Sequence, residues 1–309
     1  MATREVAAPQ PLRLRATRRR WGEDVIKGAL ALCALVSVAT TVGIVVALFE
    51  PAIEFFREVS IADFLTGTEW APLFEPASFG VLPLVAGTFL VVFCACGVCI
   101  PFGLGSAIYM SEYARPRTRK ILKPALEVLA GIPTVVYGYF ALTLVGPLLK
   151  DLGLITGVQS AISAGLVMGV MLLPTVASVS EDAMAAVPRD LRDGAYALGS
   201  TKYQVATRIV VPAAISGIIA SFVLGISRAV GETMIVLIAA GGQPNFTWNP
   251  LEAAQTMTAF IAATGQGDVP TGSIEYKTIF AVGATLFVIT LIMNLISIRL
   301  VRKYREVYE

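Results

Sequence analysis

The stretch GISRAVGETMIVLIA, Gly225–Ala239, places two charged side chains in an otherwise apolar segment. Arg228 and Glu232 are the only charged residues between positions 209 and 251. A helix needs about 20 apolar residues to cross the hydrocarbon core of a bilayer, and this run is longer than that. Residues four positions apart lie on one face of a continuous helix. The stretch therefore predicts a membrane span with both charges on the same face, provided that the rest of the chain is also a membrane protein.

The composition of the whole chain agrees with that condition. Its 309 residues are 56% hydrophobic and only 15% charged, and the mean hydropathy is +0.73, whereas soluble domains carry about 25% charged residues. Five more long runs lack any charged residue: 28–49, 76–111, 128–149, 152–180 and 278–298. Backbone polar groups in lipid must be satisfied internally, so the spans are helices. We predict an all-α integral membrane protein with six transmembrane helices, near 26–50, 79–109, 126–148, 156–179, 213–240 and 278–300.

The distribution of charge predicts the orientation. Basic residues are concentrated in the N-terminal tail, the second connection and the C-terminal tail: Arg4, Arg13, Arg15, Arg18, Arg19, Arg20, Arg115, Arg117, Arg119, Lys120, Lys123, Arg299, Arg302, Lys303 and Arg305. The first and last outer connections are mainly acidic. Basic connections stay in the cytoplasm, so both termini are expected there. We expect a basic tail at 1–24 and one transmembrane domain at 25–309, with the first span as an uncleaved anchor rather than a signal peptide.

Neither metal chemistry nor acid–base catalysis is indicated. The chain has no histidine, and no nucleophile–base pair is recognisable. Cys94, Cys96 and Cys99 lie inside the second span, where small packing residues are a simpler interpretation than a metal or redox site. We therefore expect no catalytic residue, no metal site and no cofactor. The net charge of +2 gives no reason to expect nucleic acid as a partner.

Two further patterns predict local structure. Gly165 and Gly169 form a G-x-x-x-G pattern, which is typical of closely packed membrane helices. Asn249 and Pro250 are suited to the start of a helix, and apolar residues follow at helical spacing. We expect a short amphipathic helix there, lying on the outer face.

The connection between the fourth and fifth spans, 181–212, is long for an inner loop and reads EDAMAAVPRDLRDGAYALGSTKYQVATRIVVP. Pro188 is suited to start a helix and Gly199 to end it in a left-handed conformation. Ser200 or Thr201 is expected to cap the next helix. Leu191, Ala195 and Leu198 fall on one face of the first helix. On these grounds alone the segment is either an ordinary solvated connector or a protruding helix with a docking role.

The same connection resembles the cytoplasmic signature of ABC importer permeases, which reads E-A-A, three residues, G, nine residues, I-x-L-P. The matching positions are Asp193, Gly194, Ala195, Gly199, Ile209 and Pro212. The spacing is kept, but Asp193, Gly194 and Val211 depart from the pattern. The resemblance implies that the segment is a coupling helix that docks on an ATP-binding subunit. It also implies the type I ABC importer permease (MetI-like) fold in a bacterial inner membrane.

Three more strings narrow the resemblance to the PstC-type permeases of phosphate importers: FLTGTEW at Phe64–Trp70, AGIPTVVYGYF at Ala130–Phe140 and SRAVGETM at Ser227–Met234. The resemblance implies four kinds of partner: a sister permease, two ATP-binding subunits, a phosphate-binding protein and membrane lipid. The chain lacks the G-x-x-x-x-G-K-[ST] loop that an ATPase of this type needs, so ATP is expected to be bound by a partner.

Arg228 and Glu232 then acquire two possible roles. Arg228 is expected about 20 Å along its span at 1.5 Å per residue, where a charge costs about 2.5–3.5 kcal/mol on insertion scales. The two side chains either neutralise each other to fix helix packing, or Arg228 contacts the passing anion and Glu232 occupies Arg228 when the site is empty. The resemblance favours the second interpretation. A permease for molybdate, sulfate or phosphonate and an ion-coupled secondary transporter remain alternatives.

Overall fold

The computed structural model describes residues 21–303. The predicted basic tail lies outside these residues up to position 20, and so does the C-terminal tail from position 304. The described helices are α1 Trp21–Glu58, α2 Ile61–Thr66, α3 Leu82–Ile108, α4 Pro116–Ala130, α5 Thr134–Phe140, α6 Gly146–Asp151, α7 Ala161–Ala185, α8 Arg189–Ala197, α9 Lys202–Val205, α10 Val211–Ala213, α11 Ile215–Val230, α12 Met234–Ala239, α13 Met257–Gly265 and α14 Ile274–Lys303. Three π-helical turns occupy Tyr109–Tyr113, Ala141–Val145 and Ala206–Val210. The strands β1 Trp70–Ala71 and β2 Ser78–Phe79 pair antiparallel.

Four of the described helices are long and apolar enough to cross a membrane: α1, α3, α7 and α14. Two further spans exist if each of two bent helix pairs is counted as one. The first pair is α4 with the 134–151 segment, bent by 87°, and the second is 202–213 with α11, bent by 72°. The predicted all-α membrane architecture is therefore confirmed with four to six spans, and the third and fifth predicted spans are broken rather than straight.

Contacts divide the described residues into two units, and the division falls between Ala47 and Leu48, inside α1. In the first unit the apolar side chains of α1, such as Leu30 and Leu35, are exposed. A helix with exposed apolar side chains all round suits a lipid environment. The helix begins at Trp21, so the last residues of the predicted tail belong to it.

In the second unit, α3 packs along α7 through small residues. A Cβ atom added to Gly165 would lie 2.4 Å from the Cβ of Cys94, and one added to Gly169 would lie 2.6 Å from the Cβ of Val98. The predicted close packing at the G-x-x-x-G pattern is thus confirmed. Toward the end of α7, the hydroxyls of Ser180 and Ser221 share a hydrogen bond of 2.7 Å in the core, which ties α7 to α11.

The third predicted span is interrupted at residues 131–133, before α5. Pro133 carries no N–H and favours an extended residue before it, and α4 ends at Ala130. The helix α4 covers most of the segment expected to be the second connection, and none of its side chains is fully buried. This exposed, basic helix therefore lies outside the core of the described chain.

At the end of the second unit opposite α8, the short helix differs from the prediction in its start and in its burial. The expected helix does not start at Asn249. The Oδ1 of Asn249 accepts a hydrogen bond from the N–H of Leu251 and closes a turn. The helix α13 starts later, where the Thr256 hydroxyl accepts from the N–H of Ala259. Its first residue, Met257, is fully buried and donates its N–H to the hydroxyl of Thr88 in α3 at 3.0 Å. The prediction of an outer surface helix was therefore wrong, because α13 packs inward.

Aromatic side chains fill the same end. Phe55, Phe64, Trp70 and Phe260 are buried, and the rings of Trp70 and Phe260 meet edge to face at 4.9 Å between centroids. Such edge-to-face contacts add about 0.5–1.5 kcal/mol to the burial of the rings. The FLTGTEW string thus supplies core residues of this end rather than a free loop.

Candidate functional site

Arg228 lies in the last turn of α11, roughly 20 Å from the start of that helix at 1.5 Å per residue. Its side chain is exposed in the single chain. Nη1 donates a weak hydrogen bond of 3.3 Å to the hydroxyl of Thr175 in α7. The phenol of Tyr137, in α5, interacts electrostatically with the guanidinium of Arg228. Its hydroxyl donates a hydrogen bond to the backbone carbonyl of Leu129 at 2.8 Å. Residues of α5, α7 and α11 thus come together near the guanidinium. Most of its N–H donors have no hydrogen-bond partner among residues 21–303.

Glu232 does not share a helical face with Arg228, so that prediction was wrong. The helix α11 ends at Val230, and Glu232 lies in the break before α12. Its Oε1 accepts hydrogen bonds from the backbone N–H groups of Met234 at 3.0 Å and Ile235 at 3.3 Å. Only 9% of the surface of Glu232 is exposed. The first N–H groups of a helix need acceptors, and here the carboxylate supplies one instead of pairing with Arg228.

The break between α11 and α12 is also held by contacts from α13. The hydroxyl of Thr258, in the first turn of α13, donates to the backbone carbonyl of Glu232 at 2.7 Å. Thr256 shares a hydrogen bond of 3.1 Å with Thr258. The segment next to Arg228 is therefore fixed to α13 and, through α13, to α3.

A cavity of about 260 Å³ begins at Thr175 and extends toward the α8 end of the bundle. Its polar lining comprises Thr175, Ser178 and Glu181 of α7 and Lys123 and Glu127 of α4. Glu127 lies exposed near the end of α4. The cavity thus connects the partner of Arg228 with a group of charges on α4.

Those charges join α4 to α7. The side chain of Glu181 has no exposed surface and accepts hydrogen bonds from Arg119 and, at 3.0 Å, from Lys123. Lys123 also contacts Asp182 at 3.0 Å. Sequence reasoning missed this cluster, although one signal was present: Glu181 ends the uncharged run 152–180 on the side predicted to hold the basic connection.

The connector 181–212 folds much as its local sequence predicts. Pro188 precedes the first residue of α8, and Gly199 has a left-handed φ of 80°. Thr201 and Gln204 form a reciprocal capping box at the start of α9. The segment is therefore a helix, a tight turn and a return helix that continues into the fifth span.

Arg192 links α8 to two neighbouring elements. Arg192 donates to the carbonyl oxygens of Met184 at 2.8 Å and Val187 at 2.6 Å, which lie at the end of α7. It also pairs with Glu112 of the first π-helical turn at 3.1 Å, and the two side chains are only 16% and 6% exposed. The guanidinium thus joins α8, α7 and the end of α3.

The signature positions have different surroundings. Ala195 is buried against the α8 end of the core, whereas Asp193, Gly194 and Gly199 are exposed. Ile209 lies half-buried in the third π-helical turn and Pro212 is exposed in α10. Four apolar or aromatic side chains of the same connector are also exposed: Leu191, Tyr196, Leu198 and Tyr203. Leu198 was expected on the same face as Ala195, but it lies beyond the last residue of α8 and is 89% exposed.

Comparison with known proteins adds the family. Residues 100–306 match the family described as "Binding-protein-dependent transport system inner membrane component". The chain is 35% identical over 294 residues to a probable ABC transporter permease protein, YqgH, of Bacillus subtilis, covering 94% of each chain. It is 29% identical over 308 residues to the phosphate transport system permease protein PstC of Haemophilus influenzae, covering 93% of this chain and 95% of that one.

The fold is also found in a solved structure, that of a bacterial alginate ABC transporter in complex with an alginate pentasaccharide-bound periplasmic protein. The TM-score is 0.61 at 16% identity, with 92% of this chain and 98% of that chain covered. This similarity shows the shared fold alone. From the family match and the identity to curated relatives together, the chain belongs to the family of binding-protein-dependent transport system inner membrane components, the permeases of ABC importers.

Proposed function

We propose that this chain is the transmembrane permease subunit of an ATP-driven importer of inorganic phosphate. The family supplies the transport function, and several relatives over most of the chain are named phosphate transport system permease PstC. The similarity to the solved alginate transporter shows the fold alone, so the choice of substrate also has to be supported by the chemistry of the site.

The observation that carries the proposal is the free guanidinium at membrane depth. Among residues 21–303, no carboxylate pairs with Arg228, and its hydrogen bond to Thr175 uses one of its donors. A planar guanidinium offers paired donors that match two oxygens of a phosphate. A charge at this depth must face protein or water, and its exposed position suits a water-filled translocation path. Arg228 is therefore proposed as the residue that contacts phosphate during passage.

The role proposed for Glu232 differs from direct contact with the anion. Its carboxylate holds the start of α12, immediately after the helix that carries Arg228. It is a positioning residue for the path rather than a counter-charge of the empty site.

The remaining subunits follow from exposed surfaces. The patch Leu191, Tyr196, Leu198 and Tyr203, with Asp193 and Gly194, is proposed to dock on an ATP-binding subunit, which hydrolyses ATP in place of this chain. The exposed apolar side chains of α5 and α6, such as Val136 and Leu148, are proposed to face a sister permease. We propose that the α8 end faces the cytoplasm and that a phosphate-binding protein docks at the opposite end.

The test begins with purification of the chain in mild detergent, together with its companion subunits, and identification of those subunits. The complex is then reconstituted with the binding protein, and ATP-dependent uptake of radiolabelled phosphate is measured. Arg228→Gln should lose uptake by on the order of 100-fold, the effect of a charged hydrogen-bonded contact of about 3 kcal/mol, while Arg228→Lys should retain part of it.

Three outcomes would contradict the proposal. Wild-type uptake by an assembled Arg228→Gln complex would remove Arg228 from the path. Stronger competition by molybdate, sulfate or phosphonate than by unlabelled phosphate would reassign the substrate, and uptake without ATP would indicate a secondary transporter instead.

A further inference from the structure

The cavity next to Thr175 adjoins a second, wider one at the α8 end. The wider cavity has a volume of about 500 Å³ and shares Met110, Lys123 and Glu127 with the first. Because these three residues line both cavities, the two adjoin along α4, and together they make up a recess between the partner of Arg228 and the surface near α4.

The lining of the wider cavity is basic. It includes Arg119, Lys120 and Lys123 against the single carboxylate Glu127. The three cations lie on two successive turns of α4, at i, i+1 and i+4, so that Arg119 and Lys123 share a face and Lys120 lies beside it. Arg119 and Lys123 reach Glu181 behind them. Lys120 has no ion pair among residues 21–303 and is exposed.

We propose that Arg119, Lys120 and Lys123 form a second binding site for a tetrahedral phosphate group, at the α8 end of the path. This inference rests on the proposed function, and it adds a site that the signature residues do not include. Thr175 and Glu181 are six residues apart on α7, or about 9 Å. An anion that leaves Arg228 therefore meets the next positive charges within about two helical turns.

The acidic neighbours explain how such a site releases its ligand. Glu181 and Asp182 already occupy donors of Arg119 and Lys123 at hydrogen-bond distance. A phosphate must compete with these carboxylates, so the affinity of the site stays low and the anion is not trapped. Lys120 supplies the charge that no carboxylate offsets in the described chain, and it is therefore the residue on which binding depends most.

The test uses the complete complex in vesicles and measures how phosphate on the α8 side inhibits ATP-driven phosphate uptake. A filled second site blocks release, so phosphate on that side should inhibit wild-type transport, whereas chloride at the same ionic strength should not. Lys120→Gln should raise the half-inhibiting phosphate concentration by about 5-fold, the effect of one unit charge at about 4 Å in water. Lys120→Arg should restore the wild-type value.

Arg117→Gln is the matched control, because Arg117 is an exposed cation of α4 that does not line the recess. If Arg117→Gln raises the half-inhibiting phosphate concentration as much as Lys120→Gln does, the effect comes from general surface charge, and the proposed site is wrong. So would a wild-type complex whose uptake no phosphate on the α8 side inhibits. If the wild-type complex shows no phosphate uptake at all, the proposed function fails instead, which separates the two conclusions.

Phosphate groups are also present on lipids. The same series in vesicles of neutral phosphatidylcholine and in vesicles containing anionic phosphatidylglycerol distinguishes the two sources. Inhibition by free phosphate that is equal in both supports a site for the transported anion. Dependence of the Lys120→Gln effect on the anionic lipid alone would assign the recess to a lipid headgroup and overturn the proposal for the free anion.

Discussion

Arg192 of α8 pairs with Glu112 of the π-helical turn that follows α3, at 3.1 Å and with both side chains largely buried. The same guanidinium donates hydrogen bonds to the carbonyl oxygens of Met184, in the last turn of α7, and of Val187 just after it, so Arg192 joins α8 to two other helices. Cations at a helix C-terminus are stabilised by the helix dipole. Motion of α8 is therefore expected to move α3 and α7 together.

Arg192→Gln should loosen α8 and lower the amount of phosphate transported per ATP hydrolysed. Removal of one partner of a buried ion pair costs on the order of 3 kcal/mol. Hydrogen exchange of the α8 amides should accelerate in the complex, with the ATPase activity less affected than the uptake. Unchanged exchange and unchanged uptake would show that packing alone holds α8.

A second variant in the same pair separates coupling from general damage. Glu112→Gln should give a similar loss, and the double variant should lose less than the sum of the two, because residues in contact are not additive. Strictly additive losses would contradict a shared role for the pair.

Glu232→Gln and Glu232→Ala should differ in stability. The amide oxygen of Gln still accepts from the N–H groups of Met234 and Ile235, whereas Ala leaves them without that acceptor. Loss of a side-chain cap costs about 0.5–2 kcal/mol. The unfolding temperature in mild detergent should fall for the Ala variant and stay close to wild type for the Gln variant. Equal falls would mean that the charge, rather than the cap, is what Glu232 contributes.

Gly165→Ala should destabilise the chain, because its new methyl group would meet Cys94 of α3 at 2.4 Å. Overpacking of this kind costs about 1–3 kcal/mol. Gly97→Ala is the matched control, since a Cβ at Gly97 has no neighbour within 4 Å among the described residues. The aggregation temperature in mild detergent should fall for Gly165→Ala only, and the same fall in both would indicate that helix flexibility matters more than close contact.

Features that depend on a few neighbouring residues were predictable from the sequence. The apolar runs predicted the spans, because burial in lipid depends on composition over about 20 residues. The connector was predicted in detail, because the left-handed Gly199 and the cap at Thr201 are local choices of the backbone.

Features set by distant parts of the chain were not predictable in this way. At the break at residues 231–233, the distant Thr258 of α13 donates a hydrogen bond to the carbonyl of Glu232. Spacing along the sequence does not register such a contact, and it wrongly placed Arg228 and Glu232 on one face. The contact between Arg119 and Glu181 joins residues 62 positions apart, and no short pattern marks it. The start of α13 was misplaced because Asn249 and Thr256 can both cap a helix. The helix starts after Thr256, where the N–H of Met257 bonds to Thr88 of α3.

The two glycines of the connector should respond to alanine in opposite directions. Gly194 lies within α8, where a Cβ would meet nothing within 4 Å among the described residues, and Ala is favoured over Gly in helices by about 1 kcal/mol. Gly199 has a φ of 80°, and a left-handed conformation costs other residues roughly 1–2 kcal/mol. Gly194→Ala should therefore slow hydrogen exchange of the α8 amides, whereas Gly199→Ala should accelerate it at the turn and lower phosphate uptake. Gly199→Asn should recover much of the loss, because Asn tolerates this conformation.

Faster exchange in Gly194→Ala would mean that α8 needs a flexible position at this point. An undisturbed turn in Gly199→Ala would mean that the left-handed turn does not fix the angle between α8 and α9.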